Sequence, residues 1–185
     1  MITCLTLISH ASTRALRRAA FPGDEPLDVQ GCRKAATAAP LLRAGRGWTG
    51  PELRATQTAE ALTLVAAVEP ALRDCDYGRW CGRSLSEVQT EEPEAVATWL
   101  TEPHSAPHGG ESILDLLHRV GRWLDATDGD RAVAVTHPAI IRAAIVHAIG
   151  ATAYAFWRID VAPLTRTELR GRNGGWTLRS CGVQI

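Results

Sequence analysis

The chain lacks any surplus of charge: 20 lysine and arginine residues face 20 aspartate and glutamate residues across 185 positions. A broad footprint for a nucleic-acid backbone or an anionic membrane needs a basic excess, so nucleic acid and membrane are not expected as partners. Lysine is nearly missing, Lys34 being the exception in an arginine-dominated set. No apolar run approaches the ~18 residues of a membrane span. The five cysteines, Cys4, Cys32, Cys75, Cys81 and Cys181, are odd in number, scattered and free of any CxxC pair. A disulfide framework or a zinc site is therefore not expected. Met1–Ile8 has no basic leader or long apolar stretch and reads as a strand rather than a signal peptide. These absences point to a cytoplasmic protein without a bound metal. With no repeat, low-complexity tract or interdomain linker, residues 1–185 are expected to form a single domain.

What is present is an alternation of strand and helix signals. Ile2–Ile8 is a short β-rich run ending at Ser9-His10. Residues 28–44 read as a helix ending near Gly45, and Leu53 to about Ala66 as a second helix with Leu62, Val65 and Ala66 on one face. Ile113, Leu116, Leu117, Val120 and Leu124 recur at helical spacing, predicting an amphipathic helix over 111–127. Arg131–Thr136 reads as a buried parallel strand. Pro138 suits the first turn of the next helix, whose buried residues should include Ile140, Ile141, Ala144, Ile145 and Ile149. The tail, about 155–182, reads as two or three strands turning at Asn173-Gly174-Gly175. The sum is an α/β fold of three layers, a mainly parallel central sheet flanked by helices. The loop Thr101–Ser112, rich in Pro, Gly and His, is long enough to serve as a lid.

Two histidines, His10 and His137, each follow a core strand directly. Ligands of open α/β sheets sit in the crevice outside the carboxyl ends of the strands, so both should face it. His104 and His108 are four residues apart, but no further ligands cluster near them, so they do not make a metal site. Ser9-His10 is not a serine-hydrolase dyad, because adjacent strand residues point to opposite faces and no GxSxG elbow occurs.

Six segments, in order, resemble the motifs of the histidine phosphatase (phosphoglycerate mutase-like) superfamily. They are Ile8-Ser-His-Ala-Ser-Thr13, Asp24-Glu-Pro-Leu-Asp-Val-Gln-Gly31, Leu53-Arg-Ala-Thr-Gln-Thr-Ala59, Leu72-Arg-Asp-Cys-Asp-Tyr-Gly-Arg-Trp-Cys-Gly82, His108-Gly-Gly-Glu-Ser112 and Val135-Thr-His-Pro-Ala-Ile-Ile-Arg142. The resemblance implies a phosphatase of the small branch that acts on a small organic phosphate through a phosphohistidine on His10. It implies that His137 donates to a phosphoryl oxygen, that Arg54 clamps the phosphate and that Asp74 is the general acid, with Asp76 and Glu111 as further candidates. A general acid needs a raised pKa. Glu111, His108 and Trp80 fall where the substrate pocket is expected. No cofactor is implied. The stretch from Gly82 to Glu111 is short for a mutase, and self-association into a homodimer is left open.

The departure is at Ser9, where the family's first box has an arginine beside the nucleophile. One such charge-stabilising donor is worth ~100- to 1,000-fold in rate. Either another cation compensates, with Ser9 itself and Arg14, Arg17 and Arg18 nearest in sequence, or the pocket is an impaired or repurposed one that serves anion binding, regulation or scaffolding.

Overall fold

The computed structural model describes residues 2–38, 46–129, 131–172 and 175–185. Its strands are β1 (Ile2–Ser9), β2 (Arg46–Thr49), β3 (Ala66–Val68), β4 (Arg131–Thr136), β5 (Thr165–Arg172) and β6 (Gly175–Gln184). Its α-helices are α1 (Arg14–Arg17), α2 (Val29–Ala38), α3 (Leu53–Ala61), α4 (Leu85–Glu91), α5 (Pro93–Thr101), α6 (Ile113–Ala126) and α7 (Pro138–Ala148). One six-stranded sheet runs in the order β3-β2-β4-β1-β5-β6. The first four of these are mutually parallel, and β5 and β6 extend the sheet in antiparallel fashion. The mainly parallel three-layer architecture is as expected, with a mixed edge.

The central strands are apolar on both faces because both are covered. On one face Leu5, Leu7, Ala132 and Ala134 pack against Ile113, Leu116 and Val120 of α6 and Ile140, Ile141 and Ala144 of α7. On the other, Ile8, Val133 and Val135 meet Ala38 of α2 and Ala55 and Ala59 of α3, with Leu62 just beyond it. A separate aromatic core of Phe21, Trp80 and Trp99 closes the region under α4 and α5. Ser84 starts α4 with a reciprocal capping box to Glu87, which satisfies otherwise orphaned N–H groups.

Several expectations change. The helix from Leu53 stops at Ala61, and Ala66 belongs to β3 rather than to a helix face. Val65 is exposed and Leu62 buried, the result of the chain leaving the helix after Leu62 to run as a strand. Ile149 caps α7 and is exposed, not buried. The helix over 28–44 is present as Val29–Ala38, with 39–44 and Gly45 outside the described residues. Asn173 and Gly174 of the expected turn also lie outside them, between β5 and β6. The loop after Thr101 is packed rather than lid-like: the His108 carbonyl accepts from the Arg79 N–H, and the Asp76 carbonyl accepts from that of Glu111.

Candidate active site

Strand pairing assembles the two histidines. β1 and β4 are parallel neighbours with Ser9 opposite Thr136. The next residue on each strand leaves the sheet at the same carboxyl edge. His10 and His137 therefore stand side by side, ring centroids 5.3 Å apart and planes inclined by 59°. The His10 N–H donates to the Thr136 carbonyl at 2.9 Å, which ties the two strand ends together.

His10 is almost fully buried. Its Nδ1 lies 2.7 Å from the carbonyl of Ala11. A carbonyl can only accept, so Nδ1 carries the proton and the Nε2 lone pair is free. Burial, then the adjacent His137 ring, pull the imidazole pKa down to about 3, against the opposing hydrogen bond to Ala11. His10 is thus a neutral imidazole with its nucleophilic nitrogen exposed to the site, as attack on phosphorus requires.

α3 delivers the arginine. Arg54 sits in its first turn, with its side chain about 1% exposed, a burial that a charge tolerates only when partnered. Its Nη1 donates to the Gly23 carbonyl at 2.6 Å and its Nη2 to Asp74 Oδ2 at 2.6 Å. The same helix anchors the His10 loop: Thr58 Oγ1 donates to the Arg54 carbonyl and accepts from the Ala11 N–H. The segment from Asp24 to Gly31 is a structural knot beside this. Asp24 accepts from the Leu53 N–H, and Asp28 accepts from Ser12 Oγ and from the Gly31 N–H. Gly31 is required there, since a Cβ would lie 2.4 Å from the Ser12 carbonyl oxygen.

Asp74 completes the cluster. Its Oδ2 is 3.6 Å from His137 Nδ1, and its Oδ1 accepts from the Cys75 N–H. Burial pushes its carboxyl up, but His137 and Arg54 outweigh that and hold it below the ordinary carboxylate range. This corrects the expectation of a raised pKa: with no phosphoryl group present, Asp74 is ionised. The thiol of Cys75 is pushed well up by burial and by the charge of Asp74, so it is not a nucleophile.

Above His10 and Asp74 opens a cavity of about 670 Å³. Its wall is aromatic, with Phe21, Tyr77, Trp99, Phe156 and Trp157, and among the described residues its one arginine is Arg142. Arg142 Nε donates to the Ile159 carbonyl, and its guanidinium lies 5.8 Å from the ring centres of both Phe156 and Trp157. A groove of similar volume, about 690 Å³, runs past Arg17, Arg33 and Lys34 but contains no histidine.

The remaining sequence candidates fall elsewhere. Ser9 is buried and its hydroxyl has no hydrogen-bond partner. Arg14 is exposed on α1 and does not line the cavity, Arg17 pairs with Asp28, and Arg18 is also exposed. Arg142, which closes the last of the six segments, lines the cavity and was not singled out in the sequence. Trp80 and His108 are buried in the aromatic core behind the wall, their rings 5.1 Å apart, rather than lining the pocket. Glu111 is held by Arg119 through Nε and Nη2, and Arg119 in turn donates to the carbonyls of Ala71 and Arg73. The pair braces the segment that carries Asp74 and is not a pocket contact. Asp76 accepts from the Gly78 N–H and shapes the same turn. Glu52 was also missed, since no pattern in the sequence marks it.

The profile of the histidine phosphatase superfamily (branch 1) matches residues 5–184. The chain belongs to this superfamily. It is 32% identical over 183 residues to the bifunctional protein Rv2228c of Mycobacterium tuberculosis, covering 90% of this chain and 50% of that one. It thus spans about half the length of the first curated relatives it matches. It is 28% identical over 171 residues to the adenosylcobalamin/α-ribazole phosphatase of Salmonella typhimurium, covering 85% of each chain. Among solved structures, a mycobacterial glucosyl-3-phosphoglycerate phosphatase with VO3 superposes with a TM-score of 0.88 at 24% identity, over 98% of this chain and 99% of that one. That likeness is one of histidine phosphatase fold. Among the described residues no helix is long and apolar enough to cross a membrane.

Proposed function

We propose that the chain is a phosphomonoesterase for a small organic phosphate, working through a phosphohistidine on His10. The observation that carries this reading is a neutral His10 with a free Nε2, buried beside Arg54 and His137 at the floor of an open cavity. In the first step the Nε2 lone pair attacks phosphorus and the P–O bond to the leaving alcohol breaks. Arg54 and His137 stabilise the charge spread over the phosphoryl oxygens. A bound phosphoryl dianion competes with Asp74 for Arg54 and places negative charge against it. Both effects raise its pKa, so that Asp74 takes up a proton from solvent as the substrate binds and gives it to the leaving oxygen. In the second step the Asp74 carboxylate takes a proton from water, the water oxygen attacks phosphorus, and the N–P bond breaks to release phosphate.

The aromatic wall favours a leaving group with a large apolar face over a polyanion, because Arg142 is the lone arginine there and Asp160 adds a negative charge. The free cysteines fit a reducing, cytoplasmic setting. A second reading rests on Ser9: with no arginine at that position and both Arg54 Nη atoms held within the protein, the site would bind an anion without turning it over. Hydrolysis of an aryl phosphate by wild type, His10→Ala and Ser9→Arg at pH 5 to 8 separates the two. Turnover by wild type that His10→Ala abolishes supports the phosphatase. Wild type no faster than His10→Ala, with activity gained by Ser9→Arg, supports the anion-binding domain.

A further inference from the structure

Glu52 is the residue before α3, and its carboxylate spans two elements of the site. Oε2 is 2.7 Å from His137 Nε2, and Oε1 accepts the backbone N–H of Asp74 at 2.9 Å. Gly50, the residue after β2, leaves room for this contact: a Cβ there would lie 2.8 Å from His137 Nε2 and 3.2 Å from Glu52 Oε2. The opposite nitrogen, His137 Nδ1, is buried without a hydrogen-bond partner and lies 3.6 Å from Asp74 Oδ2. We propose that Glu52 is a positioning residue for the second histidine: it takes the Nε2–H of His137 and so presents Nδ1 as the nitrogen that meets the phosphoryl group. This role rests on the phosphatase reading for its chemistry, but the tautomer itself does not.

Burial pushes the Glu52 carboxyl up, but its hydrogen bond to His137 and the ring's charge, with the Asp74 amide, outweigh that and hold it at about 2. An ionised carboxylate has no proton to give, so Nε2 must be the donor. The charged and titratable groups around the ring are Glu52 at the start of α3, Asp74 on the segment after Leu72, and His10 at the end of β1, with Arg54 behind Asp74. With Nε2–H committed to Glu52, Nδ1 is the ring nitrogen left to meet a phosphoryl oxygen, in a site where Ser9 supplies no charge.

Glu52→Gln tests this because the amide has one acceptor where the carboxylate has two. The Asp74 N–H claims the oxygen, so the NH2 faces His137 and demands an accepting Nε2. Long-range 1H–15N spectra of histidine-labelled protein, with His137 assigned by its absence in His137→Gln, read the outcome directly. We expect Nε2 protonated in wild type from pH 5 to 8 and the proton moved to Nδ1 in Glu52→Gln. In turnover, kcat should fall on the order of 10- to 100-fold, the scale of lost outer-shell partners, with the basic limb of the kcat/KM profile shifted to lower pH. Glu52→Asp should recover part of the loss. An identical tautomer in wild type and Glu52→Gln overturns the proposal, as does a uniform loss of rate with an unmoved pH profile. The expected tautomers in a protein that hydrolyses nothing would sink the phosphatase reading and leave the positioning role intact.

Discussion

The floor and the wall of the cavity are built from opposite materials. The floor (His10 and Asp74, backed by Arg54, His137 and Glu52) is buried and titratable, with Arg54, Asp74, His137 and Glu52 joined by hydrogen bonds of 2.6–2.9 Å. The wall (Phe21, Tyr77, Trp99, Phe156 and Trp157) is aromatic, with Arg142 its one arginine. A polar floor acts on a charge that is the same in every phosphomonoester. An apolar wall acts on the leaving group, where substrates differ. Changes to the floor should therefore alter kcat for all substrates, and changes to the wall should alter KM selectively.

The largest effect should come from behind the wall. Trp80 is fully buried against Phe21, Trp99 and His108, and Trp80→Ala should cost about 3–5 kcal/mol in stability by urea unfolding. Any activity left in the folded fraction should keep its substrate preference, because Trp80 does not line the cavity. On the floor, Arg54→Ala should lower kcat by ~100- to 1,000-fold on every phosphomonoester tried.

Acid should unravel the floor in a defined window. His10 titrates near 3 in the folded protein against 6.5 for a free imidazole. The unfolded chain thus binds the proton first, and the stability that neutral His10 provides is present above 6.5 and lost as pH falls from 6.5 toward 3. Glu52 adds a second loss between 4.5 and about 2. Urea midpoints of His10→Ala should therefore fall less steeply than wild type between pH 6.5 and 4.5. On the wall, Trp157→Ala should raise KM for an aryl phosphate by about tenfold or less and leave that for a sugar phosphate unchanged, since one aromatic contact is worth ~0.5–1.5 kcal/mol. Smallest of all, Arg14→Ala should change neither rate nor stability beyond ~0.5 kcal/mol, the range of exposed substitutions.

The floor was more legible in the sequence than the wall. His10 and His137 stand out because each ends an apolar strand, and two parallel neighbours at that edge must bring them together. Arg54 and Asp74 come from motifs with distinctive residue types. Glu52 was invisible, since its role depends on β2 ending against His137, and β2 is only Arg46–Thr49. β2 and β3 were missed for the same reason: they are four and three residues long, too short for periodicity to register. The wall draws Trp99, Phe156 and Trp157 from α5 and the turn before β5, distant segments that only tertiary packing unites. Trp80 and His108 misled because they neighbour motif residues in sequence, yet the turn at Gly78 and the packed loop around Gly110 direct them into the core.

The most direct measurement is chemical trapping of the intermediate. Wild type is mixed with an aryl phosphate, quenched in alkali within a turnover, digested and mapped by mass spectrometry. The account requires an acid-labile, alkali-stable phosphoryl group on His10, absent from His10→Ala. An unmodified His10 under conditions where phosphate is being released, or a phosphoryl group on any other residue, would contradict it.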